Sequence, residues 1–280
     1  MKIASALQNA REKLSALDNP TLDAEILLAY VLKKERIFVI AESQSSLTES
    51  DLIEYNKLIE RRIAFEPVAY IVGQKEFYGL DFMVNSSVLV PRPETEQLID
   101  MVLYYMPMNG SLLDIGTGSG AIAISSQYCR NDIDVFASDI SSEALKVAAI
   151  NTEKILGEAC ITFYESDLFE NIPQNQFDCI VSNPPYIDPA EKENLPKDLL
   201  HEPDVALYAQ EKGTATLASI LKDAGPYLKP QGVLLFEVGH DQNDFMKEKG
   251  KEYGFNVSML TDLSGLTRIA ICKSEEIEKQ

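Results

Sequence analysis

Apolar positions in the first seventy residues recur at helical spacing. Ile3, Leu7, Ala10, Leu14 and Leu17 fall on one face, the three-to-four-residue period of an amphipathic helix. Pro20-Thr21 opens a second apolar stretch that runs through Leu32, with proline near a helix start, where its missing N–H is no loss. Thr48, with Asp51 three residues on, has capping-box spacing and predicts a third helix. Its Leu52, Tyr55, Ile59 and Ile63 share a face until Glu66-Pro67 ends it. This stretch predicts a small helical bundle. Strand-like residues then flank Gly79, Phe77-Tyr78 before it and 80–84 after it, which predicts a hairpin.

From Ser111 onward the period changes. Short apolar runs at 112–115, 135–138, 161–164, 179–181 and 233–238 read as strands, and the amphipathic stretches 121–128, 142–156 and 214–228 read as helices. Alternation of this kind predicts an α/β fold with a largely parallel sheet. The charged tail, 273–280, is expected to fray.

Charge divides the 280-residue chain at the same place as the pattern. Residues 1–75 carry a net −1 and residues 76–280 a net −18 of the total −19, which predicts two pieces that meet near residue 75; with the hairpin between them the expected division is a helical domain at 1–75, a hairpin linker at 76–90 and an α/β domain at 91–280. No apolar run approaches the ~18 residues of a membrane helix, and Arg11, Glu12 and Lys13 interrupt the start before a signal-like core forms. A cytoplasmic protein without a membrane location is expected. Cys129, Cys160, Cys179 and Cys272 form no C-x-x-C pair, and only His201 and His240 could join them, so no metal site is expected. The acidity also disfavours stable nucleic-acid binding.

Chemistry concentrates after the strands. Gly116, Thr117, Gly118, Ser119 and Gly120 join the first strand of the array to its first helix. Glycines there allow a tight turn and close approach of a ligand to the main chain. The loop also fits G-x-G-x-x-A, so a nicotinamide dinucleotide competes with other adenosine-bearing cofactors. Asp139 ends the second strand and suits either, since a carboxylate accepts both hydrogen bonds of a ribose diol. Leu168 follows the third strand and Asn183-Pro184-Pro185-Tyr186 the fourth. Ligands of open parallel sheets sit beyond the strands' carboxyl ends, so these residues are expected to converge on one crevice.

The tetrapeptide suggests what happens there. Two prolines fix φ and remove N–H donors, leaving rigid carbonyls beside the Asn183 side-chain oxygen. Asn183 Oδ1 and the Pro184 carbonyl match the two N–H donors of a planar amide or an exocyclic amine, and Tyr186 could stack on its plane. With the methyl of S-adenosylmethionine as electrophile, in-line positioning is worth ~7–11 kcal/mol, and acceptors on both protons enrich the nitrogen as charge develops. Neither histidine is needed.

Together these features resemble the class I S-adenosylmethionine-dependent methyltransferases, and within them the PrmC/HemK family of protein-(glutamine-N5) methyltransferases. The resemblance covers nearly the whole chain. Besides the glycine loop and Asn183-Pro-Pro-Tyr186-Ile-Asp188, it rests on Arg61-Arg62 through Glu66-Pro67-Val68-Ala69-Tyr70-Ile71, on Glu76-Phe77-Tyr78 and on Val90-Pro91-Arg92-Pro93-Glu94-Thr95-Glu96. Glu202-Pro203, Glu237-Val238-Gly239-His240-Asp241-Gln242 and Asp262-Leu263-Ser264-Gly265 with Arg268 complete it.

The resemblance implies a Rossmann-like seven-stranded methyltransferase domain preceded by a helical substrate-recognition domain and a hairpin. It implies that Gly116, Thr117, Gly118, Ser119, Gly120, Asp139, Leu168 and Asn183 hold S-adenosylmethionine. Asn183, Pro184, Pro185 and Tyr186 would hold the Gln of a Gly-Gly-Gln loop in class 1 peptide chain release factors, with Asn183, Pro184 and Tyr186 catalytic. An aromatic is common in the family where Leu168 stands, and a Gly where Gln210 stands. A sibling family that methylates a ribosomal-protein glutamine shares the tetrapeptide but usually lacks the 91–96 run, which also reads as a helix start with Pro93 in its first turn.

Three other classes remain open on the residues alone. Methylation of exocyclic amines in DNA or ribosomal RNA uses similar motifs on a flipped base. A nicotinamide oxidoreductase would explain the glycine loop but not 183–186. A non-catalytic binding module would not require amide-orienting acceptors.

Overall fold

The computed structural model describes residues 1–157, 160–173, 176–262 and 264–274. They divide into two compact units, Met1–Gln74 with Pro196–His201, and Lys75–Leu195 with Glu202–Gln280. The six residues 196–201 therefore cluster with the helical unit, although the sequence pattern gives no sign of it.

The first unit holds helices α1 (Ile3–Lys13), α2 (Pro20–Leu32), α3 (Arg36–Ala41), α4 (Glu49–Ile63) and α5 (Val68–Val72). Thr48 Oγ1 accepts the Asp51 amide at 3.1 Å and Asp51 accepts the Thr48 amide at 3.0 Å, completing the capping box. Ile3, Leu7 and Leu14 pack with Leu27, Leu28, Tyr55 and Ile59 in its core. The predicted faces overrun at their ends: α1 stops before Leu14, and Ile63 is exposed. Helix α3 has no counterpart in the sequence pattern; it is six residues long and buries only Val39. Arg62 pairs with Asp23 at 2.7 Å and with Asp198 at 2.9 Å, and His201 is hydrogen-bonded to the Ala64 carbonyl at 2.9 Å.

The hairpin follows, β1 (Gln74–Phe77) and β2 (Leu80–Met83), and from Lys75 onward it belongs to the second unit. Tyr78 and Gly79 both have positive φ, 53° and 73°, as a two-residue turn matching strand twist requires. A 3₁₀ turn at Pro93–Thr95 leads into α6 (Glu96–Tyr105), followed by β3 (Ser111–Ile115), α7 (Ala121–Cys129), β4 (Asp134–Asp139), α8 (Ser142–Leu156), β5 (Ile161–Glu165) and β6 (Phe177–Ser182). One-turn segments α9 (Asp204–Leu207) and α10 (Gln210–Gly213) precede α11 (Ala215–Asp223), β7 (Leu228–Glu237), α12 (Asn243–Glu252), β8 (Phe255–Thr261) and β9 (Thr267–Ser274).

Seven strands form one sheet in the order β5-β4-β3-β6-β7-β9-β8. The first five are parallel; β9 runs antiparallel to β7 and β8. Lys273 and Ser274 do not fray: they pair with Val233 and Phe255. The remaining tail, 275–280, lies outside the described residues, as does Leu263. Ile115, Leu112 and Val181 on the sheet are buried, and cores lie on both of its faces, as parallel sheets require.

Candidate functional site

Strand register assembles the site. Ile115 pairs with both Ser138 and Ser182, Asp139 with Glu165, and Ser182 with Phe236. The residues that end or leave the five parallel strands, Gly116, Asp139, Ser166, Asn183 and Glu237, therefore stand abreast along one edge. The order reverses between β3 and β6, where chain connections diverge and a crevice opens.

The loop after β3 is built around buried polar groups. Gly116 and Thr117 donate their amides to the Ser138 carbonyl, each at 2.9 Å. Gly116, Gly118 and Gly120 have φ of 72°, 56° and 82°, a region that L side chains avoid. A Cβ on Gly116 or Gly118 would stand in open space, whereas on Gly120 it would lie 2.6 Å from Ile124 Cδ1. Gly120 thus serves close packing behind the loop. Asn151, fully buried on α8, donates to the Ser119 carbonyl at 2.9 Å and exchanges hydrogen bonds with the Met83 backbone.

Two carboxylates underlie the loop. Asp114 accepts from Thr117 Oγ1 at 2.6 Å and from the Ala123 amide at 3.2 Å; complete burial pushes its carboxyl up to about 7 against those hydrogen bonds. Asp139 Oδ2 accepts the Gly118 amide and Oδ1 the Ser141 amide, both at 2.9 Å. Burial raises it above the usual carboxylate range, with these bonds opposing. The Asp139 carboxylate retains acceptor capacity for a ligand hydroxyl.

One cavity is lined by Gly116, Thr117, Gly118, Ser119, Asp139, Leu168, Asn183, Pro184 and Pro185, together with Pro91, Arg92 and Thr95. The structure thereby brings together nine of the residues singled out in the sequence. Gly120 and Tyr186 are not part of the lining. Tyr186 instead donates its hydroxyl to Glu237 Oε1 at 3.2 Å, and burial first, then that carboxylate, holds its phenol well above the ordinary range. Leu168 has a left-handed φ of 46°, with its carbonyl accepting from Ser166 Oγ at 3.0 Å.

Three polar residues behind Asn183 escaped the sequence reading. Asn183 Nδ2 donates to Thr95 Oγ1 at 3.1 Å, and Thr95 Oγ1 donates to Glu237 Oε2 at 2.6 Å. Gln242 Nε2 reaches the Tyr186 carbonyl at 3.3 Å and the Gly213 carbonyl at 3.1 Å. Thr95, Glu237 and Gln242 stand within motifs of the family resemblance, which was the only available signal. Glu202 is a further one: it accepts from the Val90 amide at 3.1 Å and pairs with Arg92 on the cavity wall.

His240 is exposed, and neither histidine lines the cavity. Among the described residues, no group of three His, Cys, Asp or Glu side chains is placed to hold a metal ion. No described helix is long and apolar enough to cross a membrane.

A seven-stranded sheet of this order, with a glycine loop and a strand-end carboxylate at the switch point, is that of a class I methyltransferase. Solved structures agree on the fold: the hMettl16 catalytic domain is 15% identical with a TM-score of 0.61, covering 90% of this chain and 92% of that one. A methyltransferase from Pyrococcus furiosus is 20% identical with a TM-score of 0.56, covering 72% and 92%.

Family models for the PrmC N-terminal domain and the methyltransferase small domain match residues 5–73 and 95–210. A release factor glutamine methyltransferase from Buchnera aphidicola subsp. Baizongia pistaciae is 38% identical over 97% of this chain and 99% of that protein. One from Neisseria gonorrhoeae is 39% identical over 91% and 93%. A bifunctional methyltransferase from Rickettsia prowazekii is 36% identical over 95% of this chain, which spans only 56% of that longer protein. The chain belongs to the release factor glutamine methyltransferase family.

Proposed function

We propose that this protein transfers a methyl group from S-adenosylmethionine to the side-chain amide nitrogen of the Gln in the Gly-Gly-Gln motif of class 1 peptide chain release factors. The observation that carries the reading is the register that sets Asn183 and Pro184 on the same cavity wall as Gly116, Gly118 and Asp139.

The residues fit the donor. Gly116 and Gly118 leave open space over the loop backbone, Asp139 has lone pairs for a ribose diol, and Leu168 offers apolar contact to adenine. The bound donor supplies an activated methyl on a positively charged sulfur. Asn183 Oδ1 and the Pro184 carbonyl accept the two N–H groups of the glutamine amide, orient its nitrogen toward that methyl, and stabilise the charge it gains. Tyr186 supports this turn through Glu237. We assign substrate recognition to the helical piece 1–75, and a release-factor substrate places the enzyme in the cytoplasm. The acidic catalytic piece would steer a basic substrate domain toward it.

Labelled S-adenosylmethionine offered in parallel to release factor, ribosomal protein, DNA and ribosomal RNA tests the reading. Label on the release-factor glutamine is expected; label confined to nucleic acid or to ribosomal protein overturns it.

A further inference from the structure

We infer that Glu237, acting through Thr95, sets which end of the Asn183 amide faces the substrate, and that Glu237 and Thr95 are positioning residues for the methyl transfer. The inference rests on the reading of Asn183 as the acceptor for the substrate amide.

An asparagine amide offers an oxygen on one side and an NH₂ on the other, similar in size and opposite in hydrogen-bonding character. Only the oxygen can accept from a substrate N–H; a flipped amide would point its own hydrogens at the substrate's. Something behind the residue must decide between them.

Thr95 Oγ1 has one hydrogen and lies between two groups, Glu237 Oε2 at 2.6 Å and the Asn183 amide at 3.1 Å. In its ionised form the Glu237 carboxylate has no proton to give, and in that form the Thr95 hydrogen goes to it. The Thr95 oxygen is then an acceptor only, and the Asn183 atom facing it is Nδ2. Oδ1 is left for the cavity. Glu237 and Thr95 are 2% and 4% exposed, so water does not compete for these bonds, and an unmade one there is costly.

The other groups facing Glu237 preserve that polarity. Burial raises the Glu237 carboxyl above its ordinary range; the Thr95 and Tyr186 hydroxyls that donate to it and Arg268 favour its charge, while Glu94 opposes it. Acidification that protonates Glu237 supplies a hydrogen to the wrong end of the chain, frees Thr95 to donate toward Asn183, and permits the flip.

Three variants test this in the full-length enzyme, assayed with S-adenosylmethionine and release factor. Thr95→Val and Glu237→Gln are expected to lower kcat ~10²-fold, the cost typical of losing an oriented group at a developing charge. Donor affinity by calorimetry should change less than about 3-fold, since neither residue is placed on the donor. Thr95→Ser, which keeps the hydroxyl, should recover most of the rate lost in Thr95→Val. The wild-type acid limb of kcat should be absent in Glu237→Gln. Equal losses in Thr95→Ser and Thr95→Val, or kcat within about 3-fold of wild type in both Thr95→Val and Glu237→Gln, overturn the inference. Asn183→Ala separates the two readings: turnover that survives it removes the amide-holding role of Asn183 along with this inference. Turnover lost there but kept in the other two removes this inference alone.

Discussion

Gly213 lies so close to Tyr186 that a Cβ on it would stand 2.1 Å from the Tyr186 carbonyl oxygen and 2.7 Å from the carbonyl carbon. Its φ is 80°, and glycine alone satisfies both conditions without strain. Gln242 donates to the carbonyls of both residues, so the turn carrying Asn183 and Pro184 is held from behind. Gly213→Ala is expected to cost about 1–3 kcal/mol of stability and to lower kcat more than it weakens donor binding. Denaturant melts and steady-state kinetics would show this; wild-type kcat would mean that the turn tolerates displacement.

Asn183→Ala is expected to leave donor affinity within a few-fold while abolishing turnover. Isothermal calorimetry and single-turnover methylation measure the two separately. A rate near wild type would remove the two-acceptor mechanism.

Asp139→Ala should act in the opposite order, weakening the donor ~10–10²-fold, the value of a hydrogen bond to a charged group. Some of the loss will come through the loop, because Asp139 also holds the Gly118 and Ser141 amides. Unchanged calorimetric affinity would take Asp139 out of the ribose site.

Asp114 predicts a pH dependence of stability. Its carboxyl is pushed from an ordinary 3.8 up to about 7 by complete burial. The folded state therefore holds this proton more tightly than the unfolded chain does. The associated stability is fully present below about pH 4 and is lost as pH rises through about 7, on the order of 4 kcal/mol in all. Unfolding free energies of wild type should fall relative to Asp114→Asn across that window and run parallel above it. A difference independent of pH would contradict the shift.

Acidity of the catalytic piece predicts a salt effect on encounter. If a basic substrate domain is steered in, kcat/KM for release factor should fall as ionic strength rises, with kcat little changed. Kinetics insensitive to salt would leave the net −18 of residues 76–280 without a role in association.

The parallel half of the sheet and the glycine loop were legible because each rests on local signals: apolar runs bounded by turns, and glycines at the loop that the structure shows at positive φ. Strand β7 was read only from Val233, since Pro230 and Gly232 mask its start at Leu228, where a register shift accommodates them. Strands β8 and β9 were not read from the pattern; along β8 only Phe255 is buried and the rest are half-buried or exposed, and the charged end of β9 resembles a tail. The cavity wall was legible at 116–119, 139, 168 and 183–185 through strand-end logic. Thr95 looked like part of a helix start, which it also is. Its partnership with Glu237 joins a 3₁₀ turn to the end of a strand 142 positions away, a contact that no local pattern encodes.

The same partnership has a consequence for when the enzyme matures. Thr95 is 88 positions from Asn183 and 142 from Glu237, so its hydrogen bonds wait for two long chain closures, the slow kind of contact in folding. A chain emerging from the ribosome carries the glycine loop, Asp139 and Asn183 well before residue 237 is synthesised. Until then the carboxylate that orients the amide does not exist, so the growing chain carries its donor loop before it carries the means to orient Asn183.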